Sequence, residues 1–406
     1  MPREKESIYR GDTSVRVFLT TILLTGLAYG LYRGIQDNYL AEIVKISEFE
    51  RGIVEFFREI PGLLLIFILA SMYRFSESTV YKVGTLIMLL GLLGLLFLGS
   101  SKVVVILFMV VFSSGEHIIM PIKSSMSLSF AKSEKGGASL GMTSAISHGG
   151  NIVGFVLVSI LFLVLGRLGY ARDSIVGFRI IFFLSATLLF SAALIVLTMR
   201  DRGKPVKRSR LYFNRKFGKY YMLEVFYGAR KQIFLTFAPY VLILFYGADT
   251  SVIAMLLAIC AVFGMLLSPA IGILVDKLGY KTIMVADTII LVVVCLFYGF
   301  AHRIFPMNIA YIVVCVNFVL DSIISLASMA TNVYVRDLSS SREELTATLT
   351  TGISVNHLIS VMIALLGGYI WKTLGIEVLF SLSAVLGLAN SVFAATIKKP
   401  ENRTLY

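Results

Sequence analysis

RDRGKPVKRSRLYFNRKFGKYY (Arg200–Tyr221) stands at the midpoint of a chain that is otherwise strongly apolar. The stretch is basic and polar, and Gly203 and Pro205 break it. It reads as a surface loop with room for a short surface helix. Six apolar runs of about 20 residues lie on each side, each long enough to cross a bilayer as a helix. Their approximate limits are 15–36, 50–72, 79–100, 103–126, 138–166 and 174–199, then 220–247, 250–275, 281–301, 305–332, 343–370 and 374–397. A bilayer core leaves each backbone polar group to be satisfied within its own span, which selects helices. The alternating strand pattern of a barrel is absent. The expected fold is an all-α integral membrane protein of about twelve transmembrane helices. Residues 1–199 and 220–406 form two six-helix bundles, joined by a basic linker over 200–219.

Composition agrees. Of 406 residues, 57% are hydrophobic and 15% charged, against roughly 25% charged in soluble domains. Mean hydropathy is +0.85. No cleavable signal peptide is expected, because the first apolar run is too long and lacks a cleavage site. The net charge of +13 is not a nucleic-acid footprint. With both termini cytoplasmic, about 24 of the Lys and Arg residues fall on the cytoplasmic side, which is the positive-inside pattern. Cys260, Cys295 and Cys315 lie in apolar runs, with neither disulfide nor metal-ligand spacing. No phosphate-binding glycine loop is present, so ATP is not the direct energy source. Enzyme chemistry is not expected, nor is a cofactor, since no nucleophile–base pair or metal cluster stands out. A channel is not expected either, because no filter-like repeat occurs.

The two halves read as copies. MTSAISHGGN (Met142–Asn151) matches LTTGISVNHL (Leu349–Leu358), about 200 residues apart. SMYRFS (Ser71–Ser76) resembles ILVDKLG (Ile273–Gly279), YGLYR (Tyr29–Arg33) resembles YGARK (Tyr227–Lys231), and Glu116 falls on Asp321 at nearly the same offset. Repeated six-helix halves are a transporter architecture, with the substrate site near the midplane.

GILVDKLGYK (Gly272–Lys281) resembles the loop signature of the major facilitator superfamily, G-x-x-x-D-[RK]-x-G-[RK]-[RK]. Gly272, Asp276, Lys277, Gly279 and Lys281 match, and Tyr280 replaces one basic residue. The equivalent first-half loop is degenerate, with Tyr73 for the Asp and Ser76 for the Gly; Arg74 and Lys82 keep its positive character. Other motifs are similar to a sparsely characterised prokaryotic branch of that superfamily. The resemblance implies a cytoplasmic gate at this loop, a monomer, and a central cavity lined by spans one, four, seven and ten with parts of two, five, eight and eleven. Locally, Asp276 is expected just after a helix end, with Gly279 permitting a tight reversal.

A charge at the bilayer centre costs about 2.5 kcal/mol or more, so such residues are functional candidates. They concentrate in the spans that the resemblance assigns to the cavity, while spans three, six, nine and twelve read as aliphatic and aromatic. Span one has Arg33, Gln36 and Asp37; span four has Glu116, His117 and Lys123; span five has His148 and Asn151. Span seven has Arg230, Lys231 and Gln232; span ten has Asn317 and Asp321; span eleven has Asn356 and His357. In span two, Glu55, Arg58 and Glu59 share one helical face, expected as an interdomain charge cluster near the outer surface, with Pro61 kinking the helix. Lys123 is expected to snorkel to the cytoplasmic surface. Arg230 and Lys231, about 100° apart on their helix, should face different partners, such as Glu116 or Asp321 for one and Glu55 or Glu59 for the other. His117 beside Glu116 is the leading proton relay.

These features point to a secondary active transporter in the plasma membrane, moving a small polar and possibly anionic solute by alternating access with H⁺ as the coupling ion. A proton-coupled multidrug exporter is the first alternative, disfavoured because SAISHGGNIVG (Ser144–Gly154) lacks the proline of the exporter motif. A transport-inactive receptor or scaffold is the second.

Overall fold

The computed structural model describes residues 8–9, 13–72, 74–99, 101–132, 135–200 and 212–397. Tyr73, linker residues 201–211 and residues 398–406 lie outside them. The described chain is helical: α1 (Thr13–Asn38), a π-helical turn (Tyr39–Ile43), α2 (Glu48–Leu63), α3 (Leu65–Ser71), α4 (Glu77–Leu98), α5 (Lys102–Phe130), α6 (Gly136–Arg167) and α7 (Ile175–Leu197), then α8 (Gly218–Leu244), α9 (Thr250–Leu278), α10 (Tyr280–Ile304), α11 (Met307–Ser325), α12 (Met329–Leu338), α13 (Arg342–Leu374) and α14 (Ile376–Ala395). Among the described residues, ten helical runs are long and apolar enough to cross a membrane. The other two expected spans are α2–α3, which the break at Leu64 divides into pieces of 16 and 7 residues, and α8, whose charged residues lower its hydropathy. Large apolar side chains such as Phe97, Val103, Leu266 and Val392 stand exposed along these helices, as a lipid-facing surface requires.

The helices start where side chains cap them. Ser76, Ser101, Asp249 and Ser341 each accept a hydrogen bond from a backbone N–H in the first turn of α4, α5, α9 and α13, replacing a bond the helix cannot make. Gly279 and Gly375 have φ of +83° and +89° and allow α9–α10 and α13–α14 to turn without an intervening loop. The second span stays helical through Pro61 and breaks just beyond it, at Leu64.

Backbone proximity resolves the chain into two compact units, residues 1–36 with 64–208, and residues 37–63 with 209–406. In the first unit, α1 and α6 meet through small residues. A Cβ on Gly26 or Gly30 would collide with the carbonyl of Ser147 or Asn151, and one on Gly150 or Gly154 would meet the backbone of α1 at Leu27 or Leu31. The spacing is the four-residue glycine repeat that lets membrane helices pack backbone to backbone. Ser185 of α7 also donates to the Ala28 carbonyl, 2.7 Å away. In the second unit, α2 lies on α13 and α8. Gly52 and Gly368 bring α2 and α13 together, with no room for a Cβ on Gly52 beside the Ala364 carbonyl. Rings of Phe234, Tyr298 and Phe380 close the packing of α8, α10 and α14.

Gly30→Ala forces a methyl into the Asn151 backbone and should destabilise the protein by about 1–3 kcal/mol, as overpacking does. Gly149→Ala, on the same seam helix but facing open space, should leave thermal unfolding in detergent unchanged or slightly raised.

Candidate functional site

Four polar centres stand out, one in the first unit and three in the second. The first is a cavity of about 390 Å³ among α1, α4, α5 and α6. Glu116 and Lys123 lie two turns apart on one face of α5, and both line it, as do His148 and Asn151 of α6. Lys123 donates to the Ser147 hydroxyl at 3.3 Å and lies within electrostatic reach of Glu116 and His148. Thr25, Ser144 and Ser124 add hydroxyls. With its amide oriented to satisfy its neighbours, Asn151 donates to the carbonyls of Gly26 and Ser147 at 2.7 and 3.1 Å. The expected surface snorkelling of Lys123 is therefore corrected. Its helix continues to Phe130, which places the ammonium inside the cavity and away from the helix end.

His117 takes no part in that cavity. Its Nδ1 lies 2.8 Å from the carbonyl of Ser113 one turn earlier, and the ring is buried. Adjacent helical positions point about 100° apart, so Glu116 faces the cavity and His117 does not. Arg33 is half-buried on α1.

The second centre is an ion network in the second unit. Arg51, with 0% exposure, bridges Asp37 at 3.0 Å and Glu55 at 2.8 Å. Its guanidinium lies over the Tyr240 ring, 5.6 Å from the centroid, and the Tyr240 hydroxyl donates to the Ile46 carbonyl at 2.9 Å. Arg58 reaches Glu55 through Nε at 3.0 Å and Glu59 at 2.6 Å. Glu59 meets His357 Nδ1 of α13 at 2.8 Å, and Gln232 of α8 donates to Glu55 at 3.3 Å. The cluster joins α2 to α8 and α13, with both of its glutamates buried.

Adjacent faces of α8 carry Arg230 and Lys231, both within 6.0 Å of the Tyr227 ring. Lys231 donates to the Asn356 side-chain oxygen at 3.2 Å, and Asn356 donates in turn to Glu224 at 3.2 Å. Lys231 also feels Glu59 and Glu55. Arg230 turns the other way. It is 4% exposed, lies over the Tyr227 ring at 5.6 Å, and is within electrostatic reach of Asp321 and Asp287. Asn317, one turn before Asp321, donates to the Val313 carbonyl at 2.8 Å.

The loop motif differs in one respect from expectation. Asp276 and Lys277 lie inside the last turn of α9, exposed, because the helix runs on to Leu278. Gly279 alone makes the reversal, its N–H donating to the Val275 carbonyl at 2.9 Å. Gly272 lies further back in α9, and Lys281 opens α10.

Sequence reasoning passed over Arg51, Glu224 and Asp287. Arg51 completes the Glu55, Arg58 and Glu59 face at four-residue spacing. Asp287 contradicts the reading of span nine as purely apolar, and its position on the buried stripe of Met284, Thr288 and Leu291 was a usable signal.

Comparison with known proteins adds the following. Residues 220–405 match the family model described as Major Facilitator Superfamily. No curated protein matches the sequence. Among solved structures, the fold is similar to that of the nucleoside transporter NupG (13% identity, TM-score 0.73, over 95% of this chain and 100% of that one). It is also similar to a D-xylose-proton symporter (13%, 0.73, 97% and 99%) and to an auto-inhibited POT family peptide transporter (13%, 0.74, 97% and 99%). At such identity the likeness is one of fold.

Replacing Arg51 with Met takes from Asp37 and Glu55 the buried cation they share, although Glu55 keeps Arg58 and Gln232. Breaking one side of a buried ion pair costs about 3–5 kcal/mol, so Arg51→Met should lower the unfolding temperature sharply. The triple change Asp37→Asn, Arg51→Met, Glu55→Gln, which removes the charges together, should recover much of that loss in the same assay.

Proposed function

The chain belongs to the major facilitator superfamily, and from that premise we propose that it is a secondary active transporter for a small polar solute bearing an anionic group, driven by protons across the plasma membrane. It is a multi-pass membrane protein of a transporter fold, and it acts by moving a solute, not by transforming one. The cycle is one of alternating access, with the solute site open to each side of the membrane in turn. The cytoplasmic excess of Lys and Arg puts both termini inside.

One observation carries the substrate class. The first-unit cavity presents the Lys123 ammonium beside the Ser147 hydroxyl, with His148 across from it. An ammonium in a membrane interior is retained at a cost unless something uses it. Here Glu116 is its electrostatic partner, and an anionic solute would take over that role on binding. The hydroxyls of Thr25, Ser144 and Ser124 suit the polar remainder of such a solute.

The test is thermal unfolding of the purified protein against organic acids, sugar phosphates, amino acids, nucleosides, pentoses and lipophilic cations. A bound solute at 100 times its Kd stabilises by about 2.7 kcal/mol. Selective stabilisation by an anionic solute, absent in Lys123→Ala and kept in the control Lys132→Ala at an exposed lysine, is the expected result. Stabilisation by lipophilic cations alone, or by an anion equally in Lys123→Ala, overturns the reading.

A further inference from the structure

The first-unit cavity holds a second charge beside its ammonium. Glu116 and Lys123 both line it. Lys123 follows Glu116 by seven positions on α5, which is about 10 Å along the axis and nearly the same face. The ammonium donates to the Ser147 hydroxyl at 3.3 Å. Among the described residues no ion pair joins it to Glu116, and no hydrogen bond is given to the Glu116 carboxylate. The two charges feel each other across the cavity without touching. Between them, about one turn from each, Ile119 and Met120 of the same helix line the cavity, and Met88 of α4 lines it as well. The wall made by α5 thus runs carboxylate, apolar, ammonium.

We propose that the solute is a small zwitterion, with its ammonium on Glu116, its carboxylate on Lys123 and a chain of several methylenes between them over Ile119 and Met120. This deepens the anionic-solute reading and rests on it. A plain anion on Lys123 engages the cation within reach of Glu116 and sets a like charge two turns away. The cavity then passes from neutral to negative, which is costly where water is scarce. A zwitterion answers both charges and keeps the sum at zero, because the His148 imidazole is mostly neutral at pH 7.5.

The order of the wall selects among zwitterions. An α-amino acid carries both charges at one carbon and would set one of them on the apolar strip. A chain with its charges at opposite ends matches the strip with methylenes and each end with an opposite charge. The volume of about 390 Å³ is at the small end for ligand pockets, which suits a short chain and not an oligomer. Protonation of Glu116 would instead let a plain carboxylate bind alone, and butyrate separates that case from the zwitterion.

Isothermal titration calorimetry of the purified full chain at pH 7.5 tests this, and its first arm needs no variant. The probes are glycine, 4-aminobutyrate and 6-aminohexanoate, with butyrate and butylamine each lacking one charge. A hydrogen bond to a charged group is worth about tenfold or more in affinity. The tighter of 4-aminobutyrate and 6-aminohexanoate should therefore bind at least about tenfold more tightly than glycine, butyrate or butylamine. Butyrate as tight as the best amino acid, glycine tightest of the series, or no binding of any probe overturns the inference. In folded protein, Glu116→Gln should weaken the amino acid about tenfold or more and strengthen butyrate, because the like charge is gone. Lys123→Gln should weaken both. Loss of both in Glu116→Gln overturns the pairing. The inference and the reading beneath it fail separately. Butyrate bound as tightly as the amino acids, and lost in Lys123→Gln, keeps the anionic-solute reading and removes the zwitterion. Butylamine bound with no carboxylate bound removes both.

Discussion

A charge inside a membrane protein has no water to fall back on, and the second unit is organised around that constraint. Arg51 is fully buried yet answered on each side, by Asp37, by Glu55 and by the face of Tyr240. Each partner comes from a different stretch of chain: the end of α1, α2 itself, and the far end of α8. Satisfying one guanidinium therefore fixes three segments. The same logic continues down α2, where Glu55 recruits Gln232 and Glu59 recruits His357. Residues 37–63 group with the second unit although they precede the linker. Glycines at the seam bring the α2 and α13 backbones close, and the ionic contacts add to that packing. A buried ion pair adds little net stability over an apolar pair of the same shape, but it penalises every arrangement that leaves a charge unpaired. Specificity of packing is what the network supplies.

The helix α8 shows how the constraint becomes chemistry. Arg230, Lys231 and Gln232 are consecutive, and the 100° step between neighbours sends them to three environments. Gln232 joins the Glu55 network, Lys231 joins Asn356 and Glu224, and Arg230 enters the space between α10 and α11. A single turn of helix thus couples three polar centres of one unit. Rotation of α8 by a fraction of a turn would disturb all of them together.

Much of this was legible in the sequence because hydropathy and period report burial directly. The twelve spans follow from run length, and the shared face of Glu55, Arg58 and Glu59 follows from spacing. The divergence of Arg230 from Lys231 follows from the helical step. What was not legible depends on where helices end and what lies across from them. Lys123 read as a terminal lysine because hydropathy fades after it, whereas α5 continues for two more turns of serine-rich helix. Serines held by their own backbone, such as Ser129 on the Met126 carbonyl, keep a helix intact where an apolar scale sees it ending. Arg51 was passed over, because its partner Asp37 lies across a π-helical turn that no local pattern announces. Asp287 was lost in an apolar run, where one acid barely changes the average.

The first unit meets the same constraint in a more open way. Lys123 and Glu116 stand two turns apart on α5, one ammonium against one carboxylate, and both line the cavity with His148. With a neutral imidazole these charges sum to zero, so the cavity needs no guest for electroneutrality. What it has instead is room, about 390 Å³ between its charged and hydroxyl-bearing side chains. The Arg51 network is satisfied by its own chain and fixes packing, whereas charges that line an open cavity can exchange one partner for another.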